Sequence, residues 1–160
     1  MTDWKQDKRW SDKFLPEIKS ILGRYLISES PFEDDAYKNT DLIVLKLDAV
    51  RIGCRVRRSE FLEKYKDEFT IRADRPNGNK TELAKIIEGW GNYFFYAFAD
   101  SNLVFWTLCD LNVFRLWFNS KIVLEKGKIP GCLIPNGDGS SSFRVFKFSD
   151  IPLNFIIGQA

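Results

Sequence analysis

Histidine is absent from the 160 residues, and methionine occurs once. Without histidine there is no Ser-His-Asp triad, no Cys-His pair and no HExxH metal helix. Cysteine is sparse: Cys54, Cys109 and Cys132 are widely spaced, odd in number and form no CxxC. That spacing argues against a structural zinc site and fits reduced core thiols in a cytosolic protein. Neither GxGxxG nor GxxxxGK[ST] occurs, so neither dinucleotide nor P-loop binding is signalled. No apolar run approaches the roughly 18 residues of a membrane span, and the opening MTDWKQDKRW is polar, unlike a secretion signal. Charge of one sign is also lacking: 24 basic against 22 acidic residues leave +2. Any electrostatic role must therefore come from where charge sits, not from its sum. If the chain is an enzyme, carboxylates and lysines must do the work, with a hard cation such as Mg²⁺.

What is plentiful is apolar and aromatic: 44% hydrophobic residues and 14 phenylalanines are ample for the core of a single domain spanning 1–160. Between Asp12 and Ile27, Phe14, Ile18, Ile21, Leu22, Tyr25 and Leu26 fall on one helical stripe, with Ser11 as N-cap and Pro16 in the first turn. Ser28 to Asn39 is acidic and breaker-rich and reads as a loop. Leu42–Leu47 has strand length, Asp48-Ala49 reads as a turn, and Arg51–Arg57 reads as a second strand. A helical turn over Ser59–Lys66 and a third strand, Glu68–Ala73, come next, the latter with Phe69 and Ile71 inward. Asp74–Lys80 is a polar turn, and Thr81 opens a helix striped by Leu83, Ile86, Ile87, Trp90 and Phe94, which Gly89 and Gly91 weaken or break. Asn102–Leu111 is a fourth strand, Val113–Phe118 starts a short helix, and Ile129–Asn136 is irregular. Asn136–Ser142 is a hairpin tip, and Phe143–Phe148 is a fifth strand. Lys121, Lys126 and Lys128 read as surface charge, and the tryptophans as core.

The chemistry concentrates in Thr40–Arg58, TDLIVLKLDAVRIGCRVRR. Alternation puts Ile52, Cys54 and Val56 on one face of the second strand, with Arg51, Gly53, Arg55 and Arg57 on the other. Cys54 is thus expected inward. The arginine face has two readings: a solvated surface paired with Asp41, Asp48 and Glu68, or an anion-binding surface.

The order of helix, three strands, helix and strand, with Asp41 opening the first strand, resembles the PD-(D/E)XK nuclease superfamily, in particular the Holliday-junction resolvases. The fold implied is α/β, a mixed central sheet flanked by helices: a restriction-endonuclease-like core (α-β-β-β-α-β) over about residues 12–111, with a small α/β extension over 112–160. Thr40-Asp41 stands where that family has Pro-Asp, and Arg55-Val56-Arg57 where it has Glu-x-Lys. By this resemblance Asp41, Arg55 and Arg57 form a degenerate catalytic set, with Asp41 the metal ligand. Arg55 in place of the glutamate sets a fixed positive charge beside the cation. At about 4 Å and an effective dielectric of about 20, a unit pair interacts by about 4 kcal/mol, and twice that for a divalent ion.

The resemblance therefore implies a nucleic-acid-binding protein that has lost cleavage. Arg51, Arg55, Arg57, Arg58 and Lys80 would hold nucleic acid, DNA rather than RNA, with no cofactor. One alternative is a Mg²⁺-dependent nuclease with a carboxylate relocated to Glu17, Asp48 or Glu68. Another is a phage or mobile-element accessory protein that binds a host protein, for which the low net charge and the acidic stretch Glu29–Asp35 speak.

Overall fold

The computed structural model describes residues 4–29, 42–44, 50–74, 78 and 80–160, and the chain falls into two compact units, Thr2–Val50 and Arg51–Ala160. In the first unit, α1 (Trp4–Asp12) and α2 (Leu15–Leu26) lead into β1 (Ile27–Glu29), which pairs antiparallel with β2 (Leu42–Val44). The expected stripe is present where side chains are described, since Phe14, Ile18 and Leu22 are all buried. Two corrections apply here. Ser11 lies inside α1 and is not a cap, and residues 27–29 form a strand where the breaker-rich loop was expected to begin. The remainder of that loop, 30–39, lies outside the described residues.

The second unit holds two sheets. The first contains β3 (Ile52–Arg58), β5 (Tyr93–Ala99), β6 (Leu103–Asp110) and β9 (Ile156–Gln159), in the order β3-β5-β6-β9. The second contains β4 (Glu68–Asp74), β8 (Ser142–Lys147) and β7 (Cys132–Pro135), in the order β4-β8-β7. A 3-10 turn (Ser59–Phe61) and α3 (Leu62–Tyr65) join β3 to β4, α4 (Glu82–Ile87) precedes β5, and α5 (Leu111–Leu124) comes after β6. The chain is thus mixed α/β. Among the described residues no helix is long and apolar enough to cross a membrane.

The described strands are divided among three sheets, where one mixed central sheet was expected. β3 pairs in parallel with β5, Ile52 opposite Tyr93 and Arg58 opposite Ala99, while β2 pairs with β1 and β4 joins the other sheet. Residues 112–160 are integral to this arrangement: β8 pairs with β4, β9 pairs with β6, and α5 enters the core.

β5 is the centre of the fold. Its sequence YFFYAFA is apolar at every position because both faces are buried, a pattern usual for interior strands. Phe94, Tyr96 and Phe98 face a cluster built with Phe69 of β4, Phe146 of β8, Phe114 of α5 and Phe155. On the alternate positions Phe95 stacks on Trp106, with centroids 5.6 Å apart. α5 buries Leu111, Phe114 and Phe118, spaced for one helical face, and Asp110 caps it by accepting from the Asn112 amide at 2.7 Å. α4 starts where expected, because the Thr81 hydroxyl accepts from the Ala84 amide at 3.3 Å. It stops at Ile87, earlier than the apolar stripe suggested. Gly89 (φ +101°) and Gly91 (φ +84°) take left-handed conformations and turn Trp90 out into solvent.

Candidate functional site

β3 and β4 are edge strands of their sheets, and Arg55 ties them together. Its Nη1 donates to the Thr70 carbonyl at 2.9 Å and to the Thr70 hydroxyl at 3.0 Å. Its Nη2 meets Glu82 Oε2 at 2.5 Å, and the same oxygen accepts from the Arg72 amide at 3.0 Å. Edge carbonyls and amides left without partners are unfavourable when partly buried. Here a guanidinium fork satisfies one of them and a carboxylate at the start of α4 satisfies another.

Arg57 has a different setting. Its guanidinium lies 5.3 Å from the Phe61 ring, 5.1 Å from Tyr65 and 6.0 Å from Phe98, and donates to Tyr96 Oη at 3.3 Å. Phe61 and Tyr65 come from the helical turn after β3, so the chain folds back to enclose its own arginine. Arg55 and Arg57 are therefore half-buried, with their heads held by protein, and Arg57 lies against aromatic rings. For these two arginines this corrects the expectation of an outward face, while Val56 on the alternate face is buried as expected. The cysteine expectation is corrected in turn: Cys54 is exposed, Cys109 buried and Cys132 exposed. Surrounding protein strips enough solvent from the Cys54 thiol to hold it above its ordinary pKa.

The other sequence candidates scatter. Arg51 is exposed, and its amide donates to Asn92 Oδ1 at 2.8 Å. Arg58 is exposed at the far end of β3. Glu68 is half-buried, paired in register with Lys147 across β4 and β8. Glu17 lies in the first turn of α2, in the other unit. Asp41 and Asp48 lie outside the described residues. Among the described residues, no group of three or more aspartate, glutamate or cysteine side chains is placed to hold a metal.

What does converge is a cavity of about 380 Å³ beside the Arg55 clamp. Arg55, Arg72, Lys80 and Lys85 line it, with Glu82 as the one lining carboxylate among the described residues. Trp90, 62% exposed, lines it as well. Lys80 also reaches Glu88 at 2.6 Å, an exposed pair of little strength. Of the sequence-derived binding residues, Arg55 and Lys80 are brought together here. Arg72, Lys85, Glu82 and Trp90 were missed. The sequence does hold a signal for Trp90: a tryptophan between two glycines, immediately after a helical stripe, is released from that helix.

Fold and cavity together define a mixed α/β chain with a basic, tryptophan-bearing cleft. Searches against protein-family models, curated proteins and solved structures find no match for this chain.

Proposed function

We propose that the chain is a nucleic-acid-binding domain that engages a phosphate backbone, preferentially of single-stranded DNA, in the Arg55–Lys85 cavity. One observation carries this reading: four cationic side chains, of which Arg55 pairs with Glu82 and Lys80 with Glu88, line a cleft that also presents an exposed indole. Lysines and arginines neutralise phosphates, and an exposed tryptophan offers a stacking surface that suits unpaired bases. The reading includes no cleavage step. Among the described residues the carboxylate that meets Arg55 is Glu82, whose Oε2 is engaged by Arg55 and by the Arg72 amide.

Fluorescence anisotropy with labelled single-stranded and duplex oligonucleotides tests it. Expected is tighter binding of the single strand, weakened by about 1–3 kcal/mol in Trp90→Ala. No binding to either at low salt would remove the reading. A stoichiometric protein recovered without nucleic acid would instead favour the accessory-protein alternative, for which the exposed Leu116, Val123 and Leu124 of α5 are the relevant feature.

A further inference from the structure

The turn that displays Trp90 is built by two glycines and gripped by an arginine from α5. α4 ends in a Schellman arrangement: the Trp90 amide donates to the Lys85 carbonyl and the Gly89 amide to the Ile86 carbonyl, each at 3.0 Å, with Gly89 left-handed. The chain turns again at Gly91, where a Cβ would stand 3.1 Å from Leu111 Cδ1 of α5. Glycine on either side of Trp90 gives the backbone wide freedom, so its orientation must be imposed by the surroundings. Arg115 supplies that constraint. Its Nη1 donates to the Ile86 and Gly91 carbonyls, both at 3.2 Å, and its Nη2 donates to the Gly91 carbonyl at 3.3 Å. Nη2 is itself fixed by Asn112 Oδ1 at 2.6 Å. Asn92 closes the frame: its carbonyl accepts from the Leu111 amide at 3.0 Å, and its Oδ1 accepts from the Arg51 amide at 2.8 Å. Capping the end of α4 would need only the Ile86 carbonyl. The grip on Gly91 lies beyond Trp90, so Arg115 holds the chain both before and after the indole. Arg115 is half-buried and is not among the residues that line the cleft.

We propose that Arg115 is a positioning residue for nucleic-acid binding: without touching the ligand, it presets Trp90 as a stacking platform for an unpaired base. The proposal rests on the nucleic-acid reading of the cleft. It divides the work there: the cations serve the phosphate backbone, and Arg115 acts only on base stacking, through Trp90. Ordering a contact surface before the ligand arrives removes that cost from the binding step. A lysine at this position keeps the charge, but its ammonium lacks the planar fork that spans two carbonyls.

The test compares the wild type, Arg115→Lys, Trp90→Ala and the double variant. Fluorescence anisotropy follows a single-stranded oligonucleotide and an abasic phosphodiester strand of the same length. Expected is about tenfold weaker binding of the oligonucleotide by Arg115→Lys, no change on the abasic strand, and no further loss when Arg115→Lys is added to Trp90→Ala. In the free chain, hydrogen exchange of the Trp90 amide should quicken about tenfold in Arg115→Lys while the β5 amides keep their rates. A merely structural role would weaken both strands alike and quicken the β5 amides as well. Asn112→Ala keeps the Asp110 cap, because that bond uses the Asn112 amide. It should move both readouts in the same direction, and it decides the matter if Arg115→Lys does not fold. An oligonucleotide affinity unchanged in Arg115→Lys, an equal loss on the abasic strand, or losses that add to those of Trp90→Ala overturns the proposal. If the wild type binds neither strand, the nucleic-acid reading fails, and the Trp90 exchange rate alone decides whether Arg115 positions the turn.

Discussion

Removing the Arg55–Glu82 clamp should destabilise the second unit in a way that a double-mutant cycle resolves. The two side chains are 28% and 32% exposed, so their ion pair is screened and contributes about 1 kcal/mol. Arg55→Ala also frees the Thr70 carbonyl and hydroxyl, at about 1 kcal/mol for the pair of bonds after water re-solvates the edge. Glu82→Ala leaves the Arg72 amide without its acceptor, at a similar cost. Each single variant should therefore lose about 2 kcal/mol and the double variant about 3, a coupling of about 1 kcal/mol. For a chain of this size each kcal/mol lowers Tm by about 2–4 °C. Urea unfolding monitored by tryptophan fluorescence measures all three. Additivity within about 0.3 kcal/mol would refute the clamp, as would an Arg55→Ala variant as stable as the wild type. Either result would return Arg55 to the solvent-facing role that its sequence context suggests.

Arg57→Lys keeps the charge but loses the planar stacking of the aromatic cage, so about 1 kcal/mol of stability should be lost while oligonucleotide affinity is unchanged; an affinity loss without a stability loss would make Arg57 a ligand contact. Gly131→Ala should destabilise by more than about 1 kcal/mol, because φ is +80° and the added Cβ meets backbone at 2.8 Å, and a variant that melts with the wild type would contradict that packing. Thiol labelling at neutral pH should leave Cys109 untouched in the native chain, since burial both shields it and pushes its thiol far up. Cys54 should label more slowly than an unperturbed thiol and accelerate as pH rises, because a raised pKa means less thiolate at any given pH; a rate equal to a free cysteine at pH 7 would contradict this.

Local patterns are legible in the sequence, and long-range pairing is not. The alternation of EFTIRA, the phenylalanine-basic alternation of FRVFKF, the Thr81 cap and the stripe of α2 are written within a few residues, and each element forms there. The partner of β3 is β5, with Ile52 opposite Tyr93, and no motif near Arg55 announces a strand so far along the chain. Asp48-Ala49 offers no glycine or asparagine to fix a tight hairpin, so adjacency in sequence is a weak guide to adjacency in the sheet. The period-two faces of β3 are legible too, and Val56 is buried as expected, but Cys54 is exposed, and Arg55 and Arg57 on the other face are half-buried and bound by protein. Polarity marks a surface when side chains are short. A long arginine can run along an aromatic core with its head bound, as Arg57 does. The cavity needs three-dimensional information, because Arg72, Lys80 and Lys85 approach Arg55 only through the pairing of Arg55 with Thr70 and Glu82.

The salt dependence of single-stranded DNA binding tests the central claim most directly. Arg55 is held by Glu82 in a partly buried pair, whereas the exposed Lys80–Glu88 pair is weak enough to exchange for phosphate, and Lys80 lines the cleft with Arg72 and Lys85. If those three meet phosphate, log Kobs should fall against log salt with a slope of about −2. Lys80→Ala with Lys85→Ala should weaken binding at low salt and flatten the slope to about −0.7, with the melting temperature unchanged. No binding at low salt, or a slope that the double variant leaves as it was, would contradict a nucleic-acid role for this cleft.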